Sequence, residues 1–226
     1  MNKNFFEIKN VTFAIGGKNK VNDVNISIAN EGDIICILGP SGIGKTTMLR
    51  TIAGLEKINN GEIILKNKII SSDKIHIEPE KRNIALSFQE NSLFPHYTVK
   101  KNIHLGEKKN SSSNKNLDSK EIIKILNIEN ILNKFPHQIS AGEAQRASLA
   151  RSLISQPDLL LLDEPLSNVD QSFKEDIQVA LKQLLNKNKI TTIVVTHDSY
   201  EAFYLGSKCA LILDNEVKQF DDPYNV

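Results

Sequence analysis

Residues 39–46 read Gly-Pro-Ser-Gly-Ile-Gly-Lys-Thr, and residues 163–164 are an Asp-Glu pair that closes a run of four leucines. The first stretch has the composition of a phosphate cradle. Gly39, Gly42 and Gly44 let backbone N–H groups turn inward around phosphate oxygens, with Pro40, Ser41 and Ile43 between them, and a helix starting near Lys45 adds its positive dipole end. Lys45 can then reach the β- and γ-phosphates and Thr46 can ligate Mg²⁺, with Thr47 next in the same turn. The carboxylate pair supplies the complementary chemistry. Strand alternation predicts that Asp163 faces Mg²⁺ while Glu164 faces the water attacking a γ-phosphate, so that one acid holds metal and the other orients or deprotonates water.

These residues need strands that end beside one another. Ile34–Leu38 before the glycine loop and Leu159–Leu162 before the carboxylates are continuous apolar runs, as suits parallel strands buried on both faces. Met48, Leu49, Ile52 and Leu55 then recur at helical spacing, as do Ala147, Ala150, Leu153 and Ile154, and again Ile177, Leu181, Leu184 and Leu185. Further strands are predicted at Ile84–Phe88, Thr191–Val195 and Ala210–Leu213. Alternating strands and helices give an α/β fold with a parallel core. The first 35 residues predict instead short strands at Glu7–Phe13 and Val24–Ile28, separated by the turn Gly16-Gly17-Lys18-Asn19. A hairpin turning at Asn67-Lys68 would extend that antiparallel layer. Val99 to Leu132 is polar and helix-compatible, interrupted at 108–114 by what reads as an exposed mobile loop. No repeat or linker divides the chain, so residues 1–226 are expected to form one domain.

Composition narrows the function classes. At 226 residues, 40% hydrophobic and 24% charged, the chain is an ordinary soluble globular protein. No stretch nears 18 consecutive apolar residues and the N-terminus lacks a signal-peptide core, which predicts a cytoplasmic location. A net charge of +1 with scattered lysines gives no support to nucleic-acid binding. Cys36 and Cys209 read as reduced core residues, and of the histidines only His197 earns a functional reading.

With further motifs in order, the chain resembles the nucleotide-binding subunit of ATP-binding cassette (ABC) transporters over residues 7–226. Gln89 in Ser87-Phe88-Gln89 matches that family's Q-loop, Ile139-Ser140-Ala141-Gly142-Glu143 its signature, Ser167-Asn168-Val169-Asp170 its D-loop, and His197 its switch histidine. The resemblance implies a P-loop NTPase parallel-sheet core, an N-terminal antiparallel β layer and a helical signature subdomain at about residues 90–155. It also implies ATP hydrolysis with Mg²⁺. Gln89 would sense the metal and attacking water and couple to the membrane subunit, and His197 would donate a hydrogen bond to the γ-phosphate. Ser140, Ala141, Gly142 and Glu143, at a helix N-terminus suited to anions, would close on ATP held by a second copy in a head-to-tail dimer, with Asp170 in the D-loop. Two departures stand out. Ala141 occupies a usual glycine, and the adenine-stacking aromatic is replaced by Ile15, leaving Ile15 or Phe13, two residues earlier on the same strand face, to pack the base.

Within that family, His76-Ile77-Glu78-Pro79-Glu80-Lys81-Arg82-Asn83-Ile84, Leu93–Val99 and Phe135-Pro136-His137-Gln138 look like binding-protein-dependent importers of the ferric iron, polyamine, thiamine and sulfate group. Ferric iron is the leading solute by resemblance, with the other importer solutes or a soluble ABC ATPase without a membrane partner as alternatives. The implied partners are membrane permease subunits, a second copy and, indirectly, an extracytoplasmic solute-binding protein, with no nucleic acid. The implied location is peripheral, on the cytoplasmic face of the inner or plasma membrane. Because Asp222–Val226 falls where the ATPase domain itself ends, no C-terminal regulatory domain is expected.

Overall fold

Alternation along the central strands sorts their side chains into two cores, while their parallel pairing brings the loops that follow them to one edge. The computed structural model describes residues 4–15, 18–88, 93–107, 117–169 and 171–226, without the side chains of 15, 18–20, 171 and 172. Strands β3 (Ile34–Leu38), β6 (Ile84–Ser87), β7 (Leu159–Asp163), β8 (Thr191–Thr196) and β9 (Lys208–Leu213) are parallel neighbours in the order β9-β3-β8-β7-β6. Ile35, Ile37, Leu159, Leu161, Ile193 and Val195 face one core with Met48, Leu49 and Ile52 of helix α1 (Lys45–Ala53). Cys36, Leu160, Leu162 and Val194 face the other. There they meet helices α2 (Val99–His104), α3 (Ser119–Ile125), α4 (Ala141–Ile154), α5 (Gln171–Lys187) and α6 (Ser199–Leu205) through residues such as Ile103, Ile122, Ala147, Leu181 and Ala202. With both faces covered, uninterrupted apolar sequence is what these strands require.

The antiparallel layer comprises β1 (Phe6–Ile15), β2 (Lys18–Ile28), β4 (Glu62–Leu65) and β5 (Lys68–Ser71), with β1 pairing both β2 and β4. Lys18 and Asn19, expected in a turn, belong to β2. The hairpin turns one residue earlier than expected, at Lys66-Asn67, where φ values of 50° and 63° suit a type I′ connection. A strand not anticipated, β10 (Glu216–Asp221), pairs antiparallel with β9 and touches β2 at Glu216 and Asn22, joining the two layers. The expected loop at 108–114 lies outside the described residues. Cys36 and Cys209 are buried as expected, and also in register on adjacent strands. Their thiols share a hydrogen bond which, with burial, pushes Cys36 well above the usual thiol range.

Candidate phosphate-binding site

The C-terminal ends of β3, β8 and β7 lie side by side, which is where open α/β sheets place ligands. After β3 the loop 39–44 turns into α1 with Gly42 at φ 80° and Gly44, the helix N-cap, at φ 115°. Both conformations favour glycine. Gly39 is small for a different reason, since a Cβ there would lie 2.7 Å from the carbonyl oxygen of Ile212. No side chain caps the N-terminus of α1, so its first N–H groups point into the loop. Lys45, only 6% exposed, donates from Nζ to the carbonyls of Gly39 (2.7 Å) and Pro40 (3.0 Å). Burial lowers its pKa, and the nearby carboxylates Glu164 and Asp163 partly offset this.

Asp163, the last residue of β7, is 4% exposed. Burial raises its pKa, against which a hydrogen bond from the Thr46 side chain and the Lys45 charge pull down while Glu164 adds to the rise. Two hard oxygen donors, Thr46 Oγ1 and the Asp163 carboxylate, are thus in contact, and a buried carboxylate of this kind fits a small divalent cation. Among the described residues no group of three His, Cys, Asp or Glu could hold a metal, so phosphate oxygens and water would complete any coordination sphere. Glu164 diverges from Asp163 because the chain leaves the strand: Glu164 sits at φ 48°, in the left-handed region, rather than continuing the alternation that the sequence predicts. Its N–H donates to Val195 O (2.8 Å), and its Oε1 lies 3.0 Å from Nδ1 of His197, which directly follows β8. Ser41, Gly42, Gly44, Lys45, Thr46, Thr47, Asp163, Glu164 and His197 together line one cavity of about 530 Å³.

The predicted signature residues do not line this cavity. They form the start of α4, where Ser140 is the N-cap: its Oγ accepts from Glu143 N (3.2 Å), and Glu143 Oε2 accepts from Ser140 N (2.8 Å), a reciprocal capping box. The Ser140 hydroxyl proton remains available to a ligand. Ala141 is exposed, so its methyl is not buried against the chain, whereas a Cβ at Gly142 would lie 2.4 Å from the carbonyl oxygen of Asn168. Gly142 is therefore needed for packing against the segment that follows Glu164.

A family model described as ABC transporter matches residues 21–167, more than half of the chain, and this stretch contains both the glycine loop and the carboxylate pair. The chain belongs to the ABC transporter family. Its relatives include the Fe(3+) ions import ATP-binding protein FbpC of Fusobacterium nucleatum, 35% identical over 97% of this chain and 58% of the relative. The spermidine/putrescine import ATP-binding protein PotA of Nitrosospira multiformis is 39% identical over 97% of this chain and 60% of the relative. The chain thus spans about three-fifths of the length of the curated relatives it matches. Among solved structures, a dimeric post-hydrolysis state of the ATP-binding cassette MJ0796 bound to ADP and Pi superposes with a TM-score of 0.81 at 30% identity, covering 96% of this chain and 98% of that one.

One residue of this ABC chain sits differently from expectation. Phe13 is fully buried in the core of the antiparallel layer, opposite Val21, so its ring has no face to offer a base and it is withdrawn as an adenine contact. Gln89, Asp170 and the side chain of Ile15 lie outside the described residues. Two residues not singled out for chemistry prove central to the geometry. Gln145, on α4, hydrogen-bonds the backbone of Glu164. Arg82, within a segment used above only as a family marker, is 3% exposed and donates to the carbonyls of Thr51 and Ile52 at the C-terminal end of α1. No local signal singles out Gln145, because Ser148 and Ser152 on the same helix face are polar and buried as well. For Arg82 the sequence holds none either, because the α1 carbonyls it grips lie 30 and 31 residues away.

Proposed function

We propose that this chain is the Mg²⁺-dependent ATP-hydrolysing subunit of an ABC importer, acting on a separate membrane permease. The observation carrying this reading is the convergence of Lys45, Thr46, Asp163, Glu164 and His197 on one cavity at the ends of three adjacent parallel strands. The loop N–H groups and Lys45 hold the β- and γ-phosphates. Thr46 and Asp163, with Gln89, would hold Mg²⁺, which when bound would neutralise charge on the phosphate oxygens. Glu164 orients the attacking water and accepts its proton. His197 steadies Glu164 through Nδ1 and donates from Nε2 to the γ-phosphate, and the two roles together require both ring nitrogens to carry protons.

Residues 1–226 act as one nucleotide-binding domain in this reading, with a helical subdomain at about 90–155. The signature turn Ser140–Glu143 closes on ATP held by a second copy, so that binding joins two chains and hydrolysis releases them. The dimeric state of the MJ0796 cassette supports this arrangement. Among the described residues no helix is long and apolar enough to cross a membrane, consistent with a peripheral subunit at the cytoplasmic face beneath its permease. Ferric iron is the solute proposed, supported by the name of the FbpC relative, and the greater identity to PotA favours a polyamine as the second reading. ATP turnover by the complex reconstituted with its permease tests both. Stimulation by an iron-loaded binding protein supports the first, stimulation by a spermidine-loaded one the second, and equal turnover by Lys45→Ala refutes the phosphate site itself.

A further inference from the structure

Glu164 is held in a backbone conformation that a residue with a side chain adopts at a cost, and the group that holds it comes from the signature helix. Its φ of 48° costs about 1–2 kcal/mol and persists only where neighbours impose it. On one side its N–H is fixed to Val195 O of β8 at 2.8 Å. On the other its carbonyl accepts from Nε2 of Gln145 at 2.7 Å, and from Ser167 Oγ at 3.1 Å. The same Gln145 amide accepts from Asn168 N (3.1 Å) through Oε1, and its Nε2 also reaches Ser167 Oγ (3.3 Å). Gln145 is 2% exposed, and its removal would take the side-chain acceptor from Asn168 N and leave Glu164 O with only the N–H and Oγ of Ser167. It lies two residues after the capping-box Glu143 on the same rigid helix, and one turn earlier Gly142 packs directly under Asn168 O.

We propose that Gln145 is a positioning residue for Glu164, and that through it, closure of the signature turn on a second copy's nucleotide sets the catalytic geometry of the chain's own site. The inference rests on the proposed function. The turn 164–168 spans from the catalytic carboxylate to Asn168, and one side-chain amide grips both ends. A shift of α4 therefore moves Glu164 relative to its water, whereas Lys45 and the glycine loop, carried by β3 and α1, stay in place.

The test compares Gln145→Met, which keeps length and burial but loses the amide, and Gln145→Glu, which replaces the donor with a carboxylate facing a carbonyl oxygen, with wild type and Glu164→Gln. Mg-ATP affinity, ATP-driven dimer formation by light scattering, and kcat are measured on each. The expected result for both variants is a fall in kcat of about tenfold or more, with ATP affinity held within about twofold and an ATP-bound dimer that accumulates as it does for Glu164→Gln. Turnover of Gln145→Met equal to active wild type overturns the inference alone. So does an equal loss of ATP affinity and dimer, which would mark the residue as merely structural. A wild-type chain without Mg-ATP turnover overturns the proposed function and this inference with it.

Discussion

Replacing Arg82 by alanine should unhook the phosphate-loop helix from the rest of the fold. Its guanidinium donates from Nη1 to Ile52 O (2.9 Å) and Thr51 O (3.3 Å), from Nη2 to Ser71 Oγ (2.9 Å), and from Nε to Ile77 O (2.5 Å), with His76 Nδ1 3.3 Å away. Burial lowers its pKa to about 10, so it is charged at neutral pH and sits at the negative end of the α1 dipole. Hydrogen bonds from a charged group contribute about 1.5–3 kcal/mol each, but they are not additive, and losses above about 4–5 kcal/mol are exceptional. A destabilisation of about 3–4 kcal/mol is expected for Arg82→Ala, and about 2 kcal/mol for Arg82→Lys, which cannot span the same fork. Gly54 supplies an internal control. It ends α1 at φ 91°, and a Cβ there would lie 2.4 Å from Arg82 Nε, so Gly54→Ala both strains the turn and displaces the guanidinium. Because the two substitutions attack one joint, the double variant should lose about 1–2 kcal/mol less than the sum of the singles. Urea unfolding with linear extrapolation measures all four variants, and Mg-ATP binding should weaken in parallel because Lys45 and Thr46 start the same helix. A loss below about 1 kcal/mol for Arg82→Ala, or simple additivity, would refute this account of the joint.

Phe13→Ala should cost about 3–5 kcal/mol in unfolding free energy while leaving ATP affinity of the folded chain unchanged, and Ile15→Ala should weaken ATP binding; the converse pattern would restore Phe13 as a base contact. Glu201 is 2% exposed, with Thr196 Oγ1 donating to one carboxylate oxygen and no hydrogen-bond partner for the other among the described residues. Burial raises its pKa above 4.5 in spite of Thr196 and Lys174, so its contribution to stability is full below the unfolded value and is lost as pH rises through the raised folded value. Unfolding stability measured from about pH 4 to pH 8 should decline less steeply in Glu201→Gln than in wild type, the remainder coming from buried Asp163, whose pKa burial also raises. Glu143→Gln preserves the capping box but removes a negative charge from the N-terminus of α4, which should tighten the ATP-driven dimer by about 0.3–1 kcal/mol; an unchanged or weaker dimer in light scattering would count against the signature turn as an anion site.

Local sequence carried most of the phosphate site. The loop 39–46 and the strand before it are contiguous, and the pair 163–164 follows directly on four leucines, so strand, turn and chemistry could be read together. Where several residues had to be matched across the fold, reading became harder. Strand β10 is half exposed and polar, and the Asp214-Asn215 turn that creates it, with φ values of 51° and 62°, was its only local signal. The burial of Phe13 was hidden because one strand face reads alike whether it meets a core or a ligand. Alternation predicts that the Asp163 and Glu164 side chains diverge, and they do, but a left-handed turn rather than alternation separates them. Gln145 and Arg82 act on backbone carbonyls 19 to 31 residues away, and a carbonyl leaves no trace in the sequence of its partner.

Glu164→Gln tests the central claim most directly, because it removes the proton acceptor while keeping the size and the backbone bonds of the residue. Mg-ATP binding should persist, and steady-state hydrolysis should fall by about 10²–10⁴-fold. Hydrolysis within a few-fold of wild type would contradict the assignment of Glu164 as the group that activates water.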